Sequence, residues 1–198
     1  MAQQQRSYET RAQILDAAAR CFAHNGYNAT GVAEICTRAG VSKGAFYYHF
    51  PSKQAVFLAL LDAWMVELEA ALETMAGGAR TAPERLSRMA RLMGVILQSE
   101  SARLPMFLEF WAQASRDGCV HQVTVGPYRK FQKLFGELIQ SGIDEGTLAP
   151  VNPASGAQAI ISLASGLLLQ GLLNPGGADW GQVSEESIHI LLQGLERR

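Results

Sequence analysis

The chain is expected to be all-α, with an N-terminal three-helix unit containing a helix-turn-helix followed by a larger helical domain. Three observations predict this. Apolar residues recur at the i, i+3, i+4, i+7 spacing of a helix face from end to end, and no stretch sustains the alternation of a strand. Two short helical segments are joined by Ala39-Gly40-Val41-Ser42, a turn of the length a helix-turn-helix requires. Charge is also divided unevenly. Residues 1–53 carry six lysines and arginines against three carboxylates, a net +3, whereas residues 54–198 carry 11 against 15, a net −4, within a total of −1. The domain boundary is expected between these stretches, at 53/54. Local positive charge, rather than a high overall pI, is what draws a surface to phosphates.

The first helix is expected at about residues 8–25, with Ile14, Leu15, Ala18, Cys21 and Phe22 on one face and Asn25-Gly26 as its stop. A second begins near Thr30, turns Val32, Ile35 and Cys36 inward and ends at Ala39-Gly40. The third opens at Ser42, a good N-cap, and Phe50-Pro51 ends it, because the residue before proline is pushed out of the helical region. Ser52 caps a long fourth helix whose Val56, Phe57, Leu60, Leu61, Trp64, Met65 and Leu68 form a wide apolar stripe, fading at Gly77-Gly78. Thr81-Ala82-Pro83-Glu84 reads as a capping box starting a helix through Leu97. Breaks are expected at Pro105, Asp117-Gly118 and Gly126-Pro127, then a helix from about Tyr128 to Gly142 or Gly146. Asn152-Pro153, an N-cap followed by proline at the first helical position, opens a helix to Leu173. The last helix is expected from Ser184-Glu185-Glu186, acids that the helix dipole favours, and buries Ile188, Leu191, Leu192 and Leu195.

With 198 residues, 48% of them hydrophobic, the chain can bury a sizeable core. Its opening run Met1-Ala2-Gln3-Gln4-Gln5-Arg6 holds no apolar stretch of the kind a secretory signal needs, so a cytoplasmic location is expected. Cys21, Cys36 and Cys119 are odd in number and form no CxxC pair, which argues against a disulfide framework or a zinc ribbon. Cys119 is expected to be inert, because no lysine close in sequence lowers its pKa. Cys21 and His24 are half a metal pair with no second half, and Cys21 falls on the apolar stripe, so it reads as core. No metal and no cofactor are expected.

Residues 154–173 carry no charge and approach the length of a membrane span, about 20 residues. Ser155, Gln158, Ser162, Ser165 and Gln170 interrupt the stretch, and Gly156, Ala157, Ala159, Ala164 and Gly166 suit close helix packing, so a span is rejected. A helix apolar on nearly all sides must be covered on all sides. The expected cover is a second copy of the chain, with 184–197 alongside to complete a four-helix interface; the alternative is a buried central helix of a monomer.

The candidate binding surface is the run Ser42-Lys43-Gly44-Ala45-Phe46-Tyr47-Tyr48-His49-Phe50. In a helix-turn-helix the second helix lies in the major groove and presents its N-terminal residues to bases. Lys43 suits a phosphate, whereas Gly44 and Ala45 have almost no side chain and admit close approach to base edges. Tyr47, Tyr48 and His49 supply hydroxyls and an imidazole for flanking phosphates. Lys53 adds its charge to the dipole of the fourth helix, and Phe46 and Phe50 are expected in the core.

Asn25-Gly26-Tyr27-Asn28-Ala29-Thr30, Ala39-Gly40-Val41-Ser42-Lys43-Gly44 and Tyr47-Tyr48-His49-Phe50-Pro51-Ser52-Lys53 closely resemble the DNA-binding domain of TetR/AcrR-family regulators over about residues 8–60. The resemblance implies an all-α homodimer, usually a repressor of a palindromic operator, whose C-terminal domain binds a small inducer. It implies phosphate contacts from Thr30, Lys43, Tyr48, His49 and Lys53 and base contacts around Gly44, Ala45 and Tyr47, with Ser42 heading the contacting helix. Gly31 departs from the family, which often has a hydroxyl residue there. In the second half, 107–118 and 142–173 look like the C-terminal domain type first described for choline-responsive relatives, a type that accepts varied ligands.

An inducer pocket between the fourth and seventh helices is implied by the family, with Trp64, Phe107, Phe110, Trp111 and Tyr128 as the aromatics expected near it; each taken singly reads as core. Glu109 beside them suggests a cationic inducer, and its alternative is an exposed acid on the far side of the helix. A TetR-type activator, or a regulator controlled by a partner protein, is the alternative reading. An enzyme is the remote one, since no catalytic constellation or phosphate loop stands at motif spacing.

Overall fold

The computed structural model describes residues 2–99, 104–115 and 118–195, and within these the side chains of all but 2, 3, 97–99, 104–107, 110, 119, 123 and 124. The described residues form helices α1 (Ala2–Ala29), α2 (Val32–Ala39), α3 (Lys43–His49), α4 (Lys53–Ala76), α5 (Ala82–Ser99), α6 (Leu104–Ala114), α7 (Gly118–Asp144), α8 (Pro153–Leu173) and α9 (Trp180–Leu195), with no strand among them. Contacts group the chain into two units, Met1–Val66 with Ala102–Thr124, and Glu67–Ser101 with Val125–Arg198.

In the first unit α1 buries Ile14, Ala17, Ala18, Cys21 and Phe22, at the spacing the sequence predicts. Helical geometry breaks at Gly26, whose φ of 78° and ψ of 163° an L side chain would resist, so Asn25-Gly26 is the stop expected. Gly31 stands at the N-cap of α2 with no side-chain cap, the consequence of its missing hydroxyl. Gly40 ends α2 in the left-handed region (φ 69°), and Val41 N–H then donates to Cys36 O at 3.0 Å. Ser42 caps α3, its Oγ accepting from Ala45 N–H at 3.1 Å, and Phe50 is extended ahead of Pro51. Ser52 caps α4 in the same way, through Ala55 N–H at 3.1 Å. Phe46, Phe50, Val56, Phe57, Leu61 and Trp64 complete the core, so both α3 phenylalanines are buried as expected. Phe22, Tyr27 and Phe57 pack as an aromatic trio with centroids 4.3–5.5 Å apart, joining α1 to α4. Cys21 is wholly buried, and burial, with Glu34 beside it, pushes its thiol pKa up.

In the second unit α5, the later turns of α7, α8 and α9 enclose Leu86, Met89, Leu92, Leu138, Ile139, Ile160, Leu167, Ile188 and Leu192. α8 begins as the sequence predicts, with Asn152 Oδ1 accepting from Ala154 and Ser155 N–H at 2.9 and 3.1 Å. By length and composition α8 is apolar enough to cross a membrane. Its Gly156, Ala157, Ile160, Leu167 and Gly171 are buried within this chain.

Three expectations are corrected. No break occurs at Gly126-Pro127, for α7 runs through Pro127. A proline removes one backbone bond, here to residue 123, while its fixed φ remains helical, and the units divide at that same place, between Thr124 and Val125. The last helix starts at Trp180 rather than Ser184, because Asp179 caps it: Oδ1 accepts from Gly181 and Gln182 N–H, both at 3.1 Å. Ser184 lies one turn inside, buried, donating its hydroxyl to Trp180 O at 2.6 Å. The capping box at α5 is also shifted. Thr81 Oγ1 accepts from Glu84 N–H at 3.4 Å, but Glu84 Oε2 accepts from Arg80 N–H at 2.8 Å instead of from Thr81.

Candidate nucleic-acid interface

The cap at Ser42 and the forced exit at Phe50 define a helix of two turns with two opposite faces. Phe46 and Phe50 are both buried, their centroids 6.3 Å apart, and they hold α3 against the first unit. The other face turns outward. Lys43 and Gly44 are exposed, Tyr47 is 53% and Tyr48 81% exposed, and Ala45 and His49 are half-buried. Tyr47 stands edge-on to Phe46 at 5.3 Å and Tyr48 edge-on to His49 at 5.1 Å, so ring packing restricts all three polar rings. An ammonium, two phenols and an imidazole therefore share one face with a glycine and an alanine. The small residues leave backbone within reach of a groove, and the polar groups flank it.

Two candidate residues are placed differently. Thr30 is 1% exposed, and its hydroxyl donates to Gly26 O at 2.8 Å, with Cys21 O at 3.2 Å sharing the proton. Lys53 directs its Nζ at the end of α1, donating to Tyr27 O at 2.6 Å and Thr30 O at 2.8 Å, and lies 4.3 Å from the Tyr27 ring centroid. The carbonyls at a helix C-terminus lack intrahelical partners and carry partial negative charge, which is what an ammonium satisfies. Burial lowers the Lys53 pKa, partly opposed by the Glu109 carboxylate.

Glu109 belongs to a second cluster. Its Oε1 accepts from Asn28 Nδ2 at 3.3 Å and Gln113 Nε2 at 3.1 Å, tying α6 to the end of α1. Sequence reading missed Asn28 and Gln113 in this role, and no motif spacing links positions 28, 109 and 113. Arg11 was missed beside α3 for the same reason. Its guanidinium lies 5.0 Å from the centroid of Phe50.

Of the aromatics expected near an inducer, Trp64 is 8% exposed in the first unit's core and Trp111 is 45% exposed. Tyr128, in the second unit, donates its hydroxyl to Gln158 Oε1 at 2.8 Å. The side chains of Phe107 and Phe110, like that of Cys119, lie outside the described residues. An open groove of about 460 Å³ is lined by Glu137, Gln140, Ser141, Asp144 and Glu145, none of them from that aromatic set. Among the described residues no three or more His, Cys, Asp or Glu side chains cluster to hold a metal ion.

Residues 14–60 match the model for bacterial regulatory proteins of the tetR family, and residues 81–193 that for the C-terminal domain of BetI-type transcriptional repressors. The A-factor receptor protein of Streptomyces griseus is 32% identical over 196 residues, 96% of this chain and 66% of that protein. The HTH-type transcriptional activator FasR of Mycolicibacterium smegmatis is 51% identical over 54 residues, 27% of this chain and 25% of the relative. The chain thus spans less than two thirds of either relative. Among solved structures, a transcriptional regulator from Saccharomonospora viridis in complex with choline superposes with a TM-score of 0.85 at 21% identity, over 96% of this chain and 100% of the other.

Proposed function

This chain belongs to the tetR family of bacterial regulatory proteins, and from that membership we propose that it is a DNA-binding transcriptional regulator, a repressor released from a palindromic operator by a small-molecule inducer. It acts in the cytoplasm as a homodimer built through 154–173 and 184–197, with residues 1–53 binding DNA and 54–198 binding the inducer. The repressor sense is supported by the match of 81–193 to BetI-type repressors, while the 54-residue match to FasR, an activator, keeps activation as the second reading.

The observation that carries the reading is the outward face of α3, with its two exposed tyrosines, a lysine and a half-buried histidine around Gly44 and Ala45. In this reading Lys43, Tyr48 and His49 meet phosphates, Tyr47 and the backbone at Ser42, Gly44 and Ala45 approach bases, and two copies span half-sites about 34–36 Å apart or somewhat wider. Thr30 and Lys53 act by shaping the N-terminus of α2 and the start of α4, because their polar atoms are spent on α1 carbonyls. Inducer binding moves α4, which begins beside α3, and so changes the separation of the two heads. The inducer is proposed to contact Trp64, Phe107, Phe110, Trp111 and Tyr128.

The test is a mobility shift with duplexes from the DNA flanking the chain's own gene. Lys43→Ala and Tyr48→Phe are expected to weaken binding strongly while sedimenting as wild type; wild-type binding by both rejects the reading. Transcription from the neighbouring promoter after deletion of the gene separates repression, where it rises, from activation, where it falls.

A further inference from the structure

We propose that Arg11 is a further phosphate contact, its guanidinium held over the Phe50 ring at the end of α3 so that it meets the DNA backbone beside Tyr48 and His49. The inference rests on the DNA-binding reading and adds a residue of another helix to that surface. Phe50 directly follows His49, and its extended backbone turns the chain away from α3. The Arg11 guanidinium, 5.0 Å from that ring's centroid, therefore lies against the residue that directly follows His49 in the chain. Packing on an aromatic face orients a planar guanidinium without using its N–H donors, which stay available to phosphate oxygens.

Among the other cations of the N-terminal 53 residues, Lys43 already lies on α3, and the exposed Arg6 and Arg38 stand over no aromatic ring among the described residues. Lys53 is spent on the carbonyls of Tyr27 and Thr30, and Arg20 is paired with Asp16 at 3.1 Å. Arg11 is exposed and has no ion-pair partner among the described residues. One turn earlier on the same helix face, Tyr8 is 72% exposed and presents a phenol next to it. A cation fixed by a ring of the binding unit, and not neutralised, is placed for an anionic partner.

The probe is a random-sequence duplex, because a phosphate contact acts on any sequence, and the readout is anisotropy across a series of salt concentrations. Arg11→Gln is expected to lower the slope of log affinity against log salt by about one, and Arg11→Lys to keep it. Arg20→Gln, in the pair with Asp16, leaves the slope unchanged, and Lys43→Ala lowers it as a positive control. An Arg11→Gln protein with the wild-type slope overturns the proposal, as does one that binds more weakly at unchanged slope with a lowered melting temperature, which assigns Arg11 to packing alone. If wild type binds but Lys43→Ala keeps its slope, the α3 reading fails separately. A wild type with no salt-dependent binding overturns both.

Discussion

Lys43 and Lys53 carry the same charge on successive helices and meet different surroundings. Lys43 projects from the first turn of α3 into solvent, whereas Lys53, at the first position of α4, turns back to the carbonyls of Tyr27 in α1 and of Thr30 just past it. A lysine at a helix N-terminus opposes that helix's dipole, and the C-terminus of another helix offsets the cost. Lys53→Met keeps the aliphatic stem and leaves the carbonyls of Tyr27 and Thr30 unmet; it is expected to lower stability in urea unfolding by about 1–3 kcal/mol. The same variant is expected to keep the wild-type salt dependence of DNA binding. Unchanged stability with a reduced salt slope would instead show that the ammonium leaves α1 to meet phosphate. Thr30, whose hydroxyl also read as a candidate contact, is buried and donates it to Gly26 O.

At the scale of elements, helix ends are closed by residues far away in the chain. Glu145, just past α7, accepts Ala82 N–H at the start of α5 at 2.9 Å, with Ser141 Oγ donating to its other oxygen at 2.8 Å. The backbone donor, then Ser141, holds the Glu145 carboxyl below its ordinary value of 4.5. A depressed carboxyl stabilises the fold fully above the ordinary value and loses that contribution as pH falls through its folded value. Glu145→Gln is therefore expected to lower the melting temperature at neutral pH, with the gap to wild type closing in acid. A gap independent of pH would assign the effect to packing. α5 and α9 meet at glycines: a Cβ added at Gly94 would lie 2.7 Å from Gly181 Cα. Gly94→Ala must push the helices apart and is expected to cost about 1–3 kcal/mol in the same unfolding assay, whereas ordinary helix propensity would favour alanine.

For the whole molecule, the positive N-terminal stretch and the acidic remainder are a property of composition, and the exposed apolar residues are a property of the fold. Leu169 is 43%, Leu173 74% and Ile190 69% exposed, on the two helices proposed to pair with a second copy. Paired Leu173→Arg and Ile190→Arg substitutions are expected to yield a monomer in sedimentation, with an unchanged helical spectrum and weakened operator binding, because one head then holds one half-site. A dimer in that variant would place the interface elsewhere.

Helical content, the stops at Gly26, Gly40 and Phe50, the caps at Ser42, Ser52 and Asn152 and the division of α3 into buried and exposed faces were legible in the sequence. Each depends on residues within a few positions of one another: a φ that only glycine tolerates, a side-chain oxygen two or three residues before a free N–H, an apolar period of 3.6. The start of α9 was legible too, had Asp179 been read as the cap. What only the tertiary structure decided are relations between residues far apart in the chain: Lys53 on α1, Asn28 with Glu109, Arg11 over Phe50, Glu145 on α5 and Gly94 against Gly181. Local spacing carries no trace of these, since a charged or polar side chain reads the same in sequence whether it meets water, a carbonyl or a ring. Its partner is set by how the helices pack.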